Sequence, residues 1–365
     1  MLAGKIWTVT GPIEPNNAGI TLAHEHLLID MSGYAKVPEE ISERKLAHSP
    51  ITMNLLGWIK AYSVRHVDNM RLLDEDTAEE EAMQFKNEGG RTIVEVTPKA
   101  LGRDAFALKR ISIKTGLNIV AGCGYYVDAY HPSDMNDRSV ERIKEDIVRE
   151  IAQGIPNTRL SPPYLDEAKV AREPNSGIRT GIIGEIGNSY PWTENEKKVC
   201  RAAARAQMET GAPITIHPGR HHDASMEIIR LLKNEGADLT RIIMSHIDKR
   251  VSDIASIRAI ADQGCYLEYD GFGTEHYFPF ASFDMPSDAE RINQIRTLIK
   301  EGYVRHILIS HDICQKISLT KYGGYGYAHI SRNIVPRMIM KGISEDEIKR
   351  MIVENPRSVL TFAEA

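Results

Sequence analysis

The sequence predicts an α/β protein built as a (β/α)8 barrel. Three observations lead there. Eight short runs rich in β-branched apolar residues recur along the chain: GITLAHEH, RTIVEVTP, LNIVAGCGYY, TGIIGEIG, APITIHPG, RIIMSHID, CYLEYDGF and HILISHD. Amphipathic, helix-like segments separate them, so the pattern is strand then helix throughout. Most runs are apolar on both faces, as in a parallel sheet covered by helices, and eight is the number that closes such a sheet into a barrel. Third, histidines and carboxylates gather at the ends of the runs.

In the first run, TLAHEHLLID, an extended chain sends successive side chains to opposite faces. His24 and His26 therefore share one face and Glu25 takes the other. Residues 33–75 follow this strand and precede its helix, which predicts a lid or pocket wall on the C-terminal face. The segment 155–177, before the fourth run, falls on the opposite face as a surface insertion. In TENEKKVCRAAARAQMETGA, Thr193 and Glu196 form a capping box and Gly211 follows the last turn. SMEIIRLLKNEGAD and SDIASIRAIADQG have the same build. A last helix opens at Ser344, with Glu347 three residues on, and is expected to end at Pro356. An open doubly wound sheet is the alternative, but HEHLLIDMSGY is no glycine-rich nucleotide turn, and YGGYGYAH does not fit that pattern either and reads as a flexible loop.

The 365 residues are 42% hydrophobic, enough for one large domain or two average ones, and the eight runs are read as a single barrel domain spanning 1–365. Lys and Arg total 45 against 50 Asp and Glu, a net charge of −5 without a long basic cluster, which argues against a nucleic-acid groove and for a small-molecule ligand. The four cysteines are scattered, no signal peptide opens the chain and no apolar run reaches the ~18 residues of a membrane span. The expectation is a cytosolic protein without a membrane partner. A homodimer is compatible with all of this.

His24 and His26 end the first run, Glu185 the fourth, His217 the fifth, His246 the sixth and Asp312 the eighth. Strand ends at that face of a barrel converge on one cavity. Four imidazoles and two carboxylates exceed the needs of one tetrahedral structural ion and suit two divalent ions sharing a carboxylate, about 3.5–4 Å apart. A histidine in an apolar run is ordinarily a satisfied core residue, but core histidines would not all choose strand ends. Two such ions would share a water and lower its pKa toward neutrality, giving a hydroxide nucleophile that Asp312 can orient, deprotonate and use to return a proton to a leaving group. The donors accept zinc, manganese, cobalt or iron, with zinc the default.

GITLAHEHLLID, TIHPGR, MSHID and ISHD resemble the phosphotriesterase family of the amidohydrolase superfamily, over about residues 5–362. IGEIGNSYPWTENE, GCYLEYDGFGTE, TKYGGYGYAHI and ENPRSVLTF are similar to its phosphotriesterase-related branch in animals. The resemblance implies that His24, His26 and Asp312 hold a buried ion and His217 and His246 a more exposed one. A carboxylated lysine bridges the ions in the family's phosphotriesterases and lactonases; here Glu185 stands in its place. It further implies amide hydrolysis of small anionic N-acyl compounds, N-acetyltaurine to taurine and acetate being representative.

Arg220, directly after HPG, and Lys99, in VTPK, are candidate anchors for the substrate anion, and Tyr125 and Tyr126 candidate pocket walls. His221, His222 and His329 read as surface or loop histidines. Glu268 and Asp270 also end a run, and one of them is expected to orient a metal histidine. The alternatives are a lactonase or phosphotriesterase using the same site, a non-catalytic binding protein, and a structural metal barrel.

Overall fold

The computed structural model describes residues 3–156, 176–251, 253–275 and 285–364. All eight runs are strands of one parallel sheet: β3 (Ile20–Glu25), β6 (Gly90–Glu95), β7 (Asn118–Cys123), β8 (Ile182–Gly187), β9 (Ile214–His217), β10 (Ile242–Met244), β11 (Tyr266–Tyr269) and β12 (Ile307–Ile309). They lie side by side in chain order, with helices outside, and curl into a nearly closed barrel. Two antiparallel pairs flank it that the runs do not announce: β1 (Ile6–Thr8) with β2 (Gly11–Ile13), and β4 (Ile29–Asp30) with β5 (Arg71–Leu72).

Side chains complete the seam between β12 and β3. Ser310 Oγ accepts from His24 N at 3.0 Å and lies 2.9 Å from the His24 carbonyl. Glu25, which the strand alternation sends to the other face, accepts from His311 N (2.9 Å) and Ile313 N (3.1 Å). Its carboxylate thus clamps the turn that carries Asp312.

The helix Glu194–Thr210 forms as its sequence requires. Thr193 and Glu196 make a reciprocal capping box, and Gly211 at φ 71° turns the chain out of the helix. Its buried face, with Val199, Cys200, Ala203 and Ala206, packs on the helix Val140–Ala152, whose Ile143, Ile147 and Ile151 are fully buried. Each such isoleucine contributes about 1.5–3 kcal/mol of apolar burial. The same logic fails at Pro356. Rather than ending the last helix, it sits in the first turn of a further segment, Asn355–Leu360, reached through a wide π turn over Arg350–Glu354. The π turn makes room for it: Asn355 N bonds back to Arg350 O, five residues earlier, and Pro356 beside it has no N–H to place.

Of the two long segments, 33–75 contributes the short helices Ile41–Ala47 and Leu56–Ala61, and Tyr34, Lys36, Val64 and Met70 line the cavity described below. Residues 157–175 lie outside the described residues; flanking them, Ser176 N donates to Ile155 O at 2.8 Å. The glycine-rich YGGYGYAH is packed rather than loose. Its Tyr327 is buried and donates to the His26 carbonyl at 2.7 Å.

Candidate metal centre

Two strands are irregular where the polar residues appear. Pairing of β3 with β6 shifts register between Leu22 and Glu25, and that of β8 with β9 between Ile183 and Ile186. Such bulges re-aim side chains at barrel rims, and here they flank His24 and Glu185. His246 and Asp312 follow β10 and β12 in left-handed conformations, φ 59° and 54°, alone among the described non-glycine residues. This backbone region costs an L-residue about 1–2 kcal/mol. Hydrogen bonds hold it: His246 N donates to Asp270 Oδ2 (2.9 Å) and Asp312 N to the His24 carbonyl (3.2 Å).

The six residues expected from the sequence meet in one buried cluster. Glu185 Oε1 lies 2.7 Å from His217 Nδ1, 2.9 Å from His246 Nε2 and 3.6 Å from His24 Nε2. Asp312 Oδ1 lies 3.2 Å from His26 Nε2 and 3.7 Å from His24 Nε2. Donor atoms of His24, His26 and Asp312, and likewise of His24, Glu185 and His246, fall within 4.8 Å of one another.

The surroundings fix which nitrogens face inward. His24 Nδ1 is 2.9 Å from Glu268 Oε2 and His246 Nδ1 2.9 Å from Asp270 Oδ1. Carboxylates only accept, so the outer nitrogens carry the hydrogens and the Nε2 lone pairs point to the centre. Both Glu268 and Asp270, rather than one, hold a histidine. His26 Nδ1 is 2.9 Å from Thr97 Oγ1, which donates to Glu95 at 2.5 Å. His217 is turned the other way: Arg250 donates to its Nε2 at 3.0 Å, so without an ion its hydrogen sits on Nδ1 and is donated to Glu185 Oε1 at 2.7 Å.

Burial depresses the basicity of His24 and His246, but carboxylates outweigh it: Glu268, Glu185 and Asp270 raise His24 well above the usual range, and Asp270 raises His246. His217 is pulled down to about 3, by burial against the opposing pull of Glu185. For Asp312 burial favours the neutral acid, yet Lys249, His26, His246 and His24 hold it well below the ordinary carboxylate range. Lys249 is itself buried, 2.6 Å from Asp312 Oδ2 and 2.8 Å from Asp270 Oδ1.

Two features test whether this set suits a cation. His24 Nε2 is buried with no hydrogen-bond partner, a costly state for a polar atom. His217 Nδ1 and His246 Nε2 approach to 2.8 Å with a single carboxylate oxygen between them. A divalent ion accepting the lone pairs of His24 and His246 would satisfy both Nε2 atoms beside the Glu185 carboxylate, so the residues fit a metal centre.

The cluster floors a cavity of about 620 Å³. Arg220 and Tyr126 line it, as does Arg250, which the sequence reasoning passed over although it stands two residues past the sixth run in SHIDKR. Tyr126 is 3.4 Å from His217 Nδ1 through its hydroxyl and meets Tyr34 edge to face. Burial and the neighbouring Arg250 lower Arg220 to about 10. Lys99 and Tyr125 are not among the lining residues. Lys99 Nζ lies 4.2 Å above the Tyr125 ring, and the Tyr125 hydroxyl donates to Asp146 at 3.1 Å, so this pair packs behind the wall. His329 is buried rather than superficial, 2.8 Å from Asp288. His221 and His222 are outward, with Asp223.

Residues 4–360 match the phosphotriesterase family. The chain is 43% identical to the N-acetyltaurine hydrolases of Bos taurus and Xenopus tropicalis, over 99% of each chain in both cases. A solved structure of a resiniferatoxin-binding protein from Rhodobacter sphaeroides superposes with a TM-score of 0.89 at 35% identity, covering 98% of this chain and 95% of that one. Among the described residues, no helix is long and apolar enough to cross a membrane.

Proposed function

Because this chain belongs to the phosphotriesterase family and is a metal-dependent hydrolase, we propose that it hydrolyses the amide of N-acetyltaurine, the compound its bovine and frog relatives are named for, to acetate and taurine. The observation that carries this reading is the paired guanidinium wall. Arg220, exposed at the rim, and the half-buried Arg250 stand within electrostatic reach of each other, and both line the cavity that holds the histidine–carboxylate cluster. Two like charges facing one cavity repel, and an anion held between them offsets that repulsion. A sulfonate is such an anion, and its oxygens match the forked guanidinium donors.

In this reading His24, His26 and Asp312 would hold one divalent ion and His217 and His246 a second, with Glu185 serving both and zinc the default. When bound, the ions supply a nucleophile from water at neutral pH and polarise the amide carbonyl. The remaining work falls to side chains. Arg220 and Arg250 hold the sulfonate, which sets the scissile carbonyl over the cluster, and Tyr34 and Tyr126 close an aromatic wall against bulk water. Asp312, kept ionised by Lys249, accepts a proton from the attacking water and returns it to the amide nitrogen, which leaves as the amine.

The experiment is metal-loaded protein assayed against N-acetyltaurine, N-acetyl amino acids, a lactone and an aryl phosphotriester. Chelator-sensitive taurine release is expected, with KM for N-acetyltaurine rising about tenfold or more in Arg250→Gln. Turnover of the lactone or the phosphotriester alone would overturn the substrate assignment.

A further inference from the structure

At the opposite end of the barrel lies a second cavity of about 500 Å³. Arg241 precedes β10, Tyr266 begins β11 and Arg305 precedes β12, so the cavity opens on the N-terminal ends of the strands, away from the metal centre. Arg350 and Arg357, from the C-terminal helical segments, complete four guanidiniums around one space. The lining offers a single carboxylate, Glu354, which is engaged by Arg350 at 2.8 Å.

Four arginines gathered in a concave site on a chain of net charge −5 are not explained by the fold. Arg357 spends one nitrogen on Asn16 Oδ1 at 3.0 Å. Arg305 makes no side-chain hydrogen bond or ion pair among the described residues, and Arg241 Nε is buried with no partner. A buried guanidinium N–H without an acceptor costs free energy that a bound anion would recover. The space falls in the range of small-molecule sites, too narrow for a macromolecule, and Tyr266 adds a ring beside the cationic wall.

We propose that this cavity is a second ligand site, for a small phosphate-bearing anion that neutralises Arg241, Arg305 and Arg357. Phosphate is the group whose several oxygens can take forked donors from different directions at once. Inorganic phosphate and a nucleoside monophosphate share this chemistry; the Tyr266 ring distinguishes them by favouring the second.

The test is calorimetric titration of the metal-loaded full chain with inorganic phosphate and, separately, with adenosine 5′-monophosphate, at low salt. One site per chain is expected, tighter for the nucleotide, weakened about tenfold or more in Arg241→Gln/Arg357→Gln and by added sodium chloride, while hydrolase kcat and KM stay at wild-type values. Should the double variant fold poorly, Arg305→Glu, at an exposed position, carries the same expectation. Binding that persists in these variants but disappears in Arg250→Gln would place the anion at the metal centre and overturn the proposal. Failure of both anions to bind would also overturn it, and neither result bears on the amide substrate.

Discussion

Replacing Glu268 by glutamine probes the link between a buried carboxylate and the metal centre without touching any proposed ligand. Glu268 is fully buried, its Oε2 lying 2.9 Å from His24 Nδ1 and accepting from Ser245 Oγ at 2.7 Å. Glutamine keeps the shape but removes the charge: its carbonyl oxygen takes the place of Oε2 and serves both donors, while its NH2 replaces Oε1, which has no hydrogen-bond partner. A charge-assisted bond is about twice as strong as a neutral one. Losing such a support to a metal histidine lowers affinity about 10- to 100-fold, or about 1.4–2.7 kcal/mol. Part of this is offset, because the same carboxylate raises the His24 pKa, and its loss weakens the proton that competes with the ion. Competitive titration of zinc against a chromophoric chelator near pH 7.5 reads the affinity, and circular dichroism verifies the fold. An affinity within about twofold of wild type in a folded protein would refute the reasoning that Glu268 fixes the inward lone pair of His24.

Three further outcomes follow from the same geometry. His24 and His246 have raised pKa values in the metal-free protein, so each tends to hold a proton near neutrality that an ion must displace, whereas His217, pulled to about 3, holds none. Metal affinity should therefore rise with pH between about 6 and 8, with protons released, measured by calorimetry in buffers of different ionisation enthalpy; flat affinity without release would contradict this. Arg291 is fully buried, bonded to Asp248 Oδ2 at 2.5 Å and Asp288 Oδ1 at 3.0 Å, so Arg291→Ala should cost about 3–5 kcal/mol in denaturant unfolding; a loss below about 1 kcal/mol would show the pair to be dispensable. A Cβ at Gly122 would stand 2.0 Å from the Gly184 carbonyl oxygen, just before Glu185. Gly122→Ala should destabilise by about 1–3 kcal/mol or more and lower bound metal, and wild-type thermal stability with full metal content would refute the packing argument.

Much of this protein is fixed locally and can be read from the chain. The eight apolar runs become the eight barrel strands because β-branched residues apolar on both faces have no other stable use between amphipathic helices. His24 and His26 share a face because strand alternation is a property of the backbone, and Thr193, Glu196 and Gly211 bound their helix through short-range hydrogen bonds and a left-handed cap. The convergence of His24, His26, Glu185, His217, His246 and Asp312 was legible too, since a closed parallel barrel brings all strand ends to one rim.

What only the tertiary structure decides depends on atoms far apart in sequence. The left-handed turns at His246 and Asp312 carry no local signature, being held by Asp270, by the His24 carbonyl and by the Glu25 clamp across the seam. Lys99 and Arg220 look alike as cations after strand ends, yet Lys99 stacks on Tyr125 behind the wall whereas Arg220 reaches the cavity beside Arg250. The direction a long side chain takes is set by its packing partners, not by its position along a run. The same holds for the arginine cavity at the other end, where four guanidiniums from positions 241 to 357 meet only when the last helical segments close over the strands.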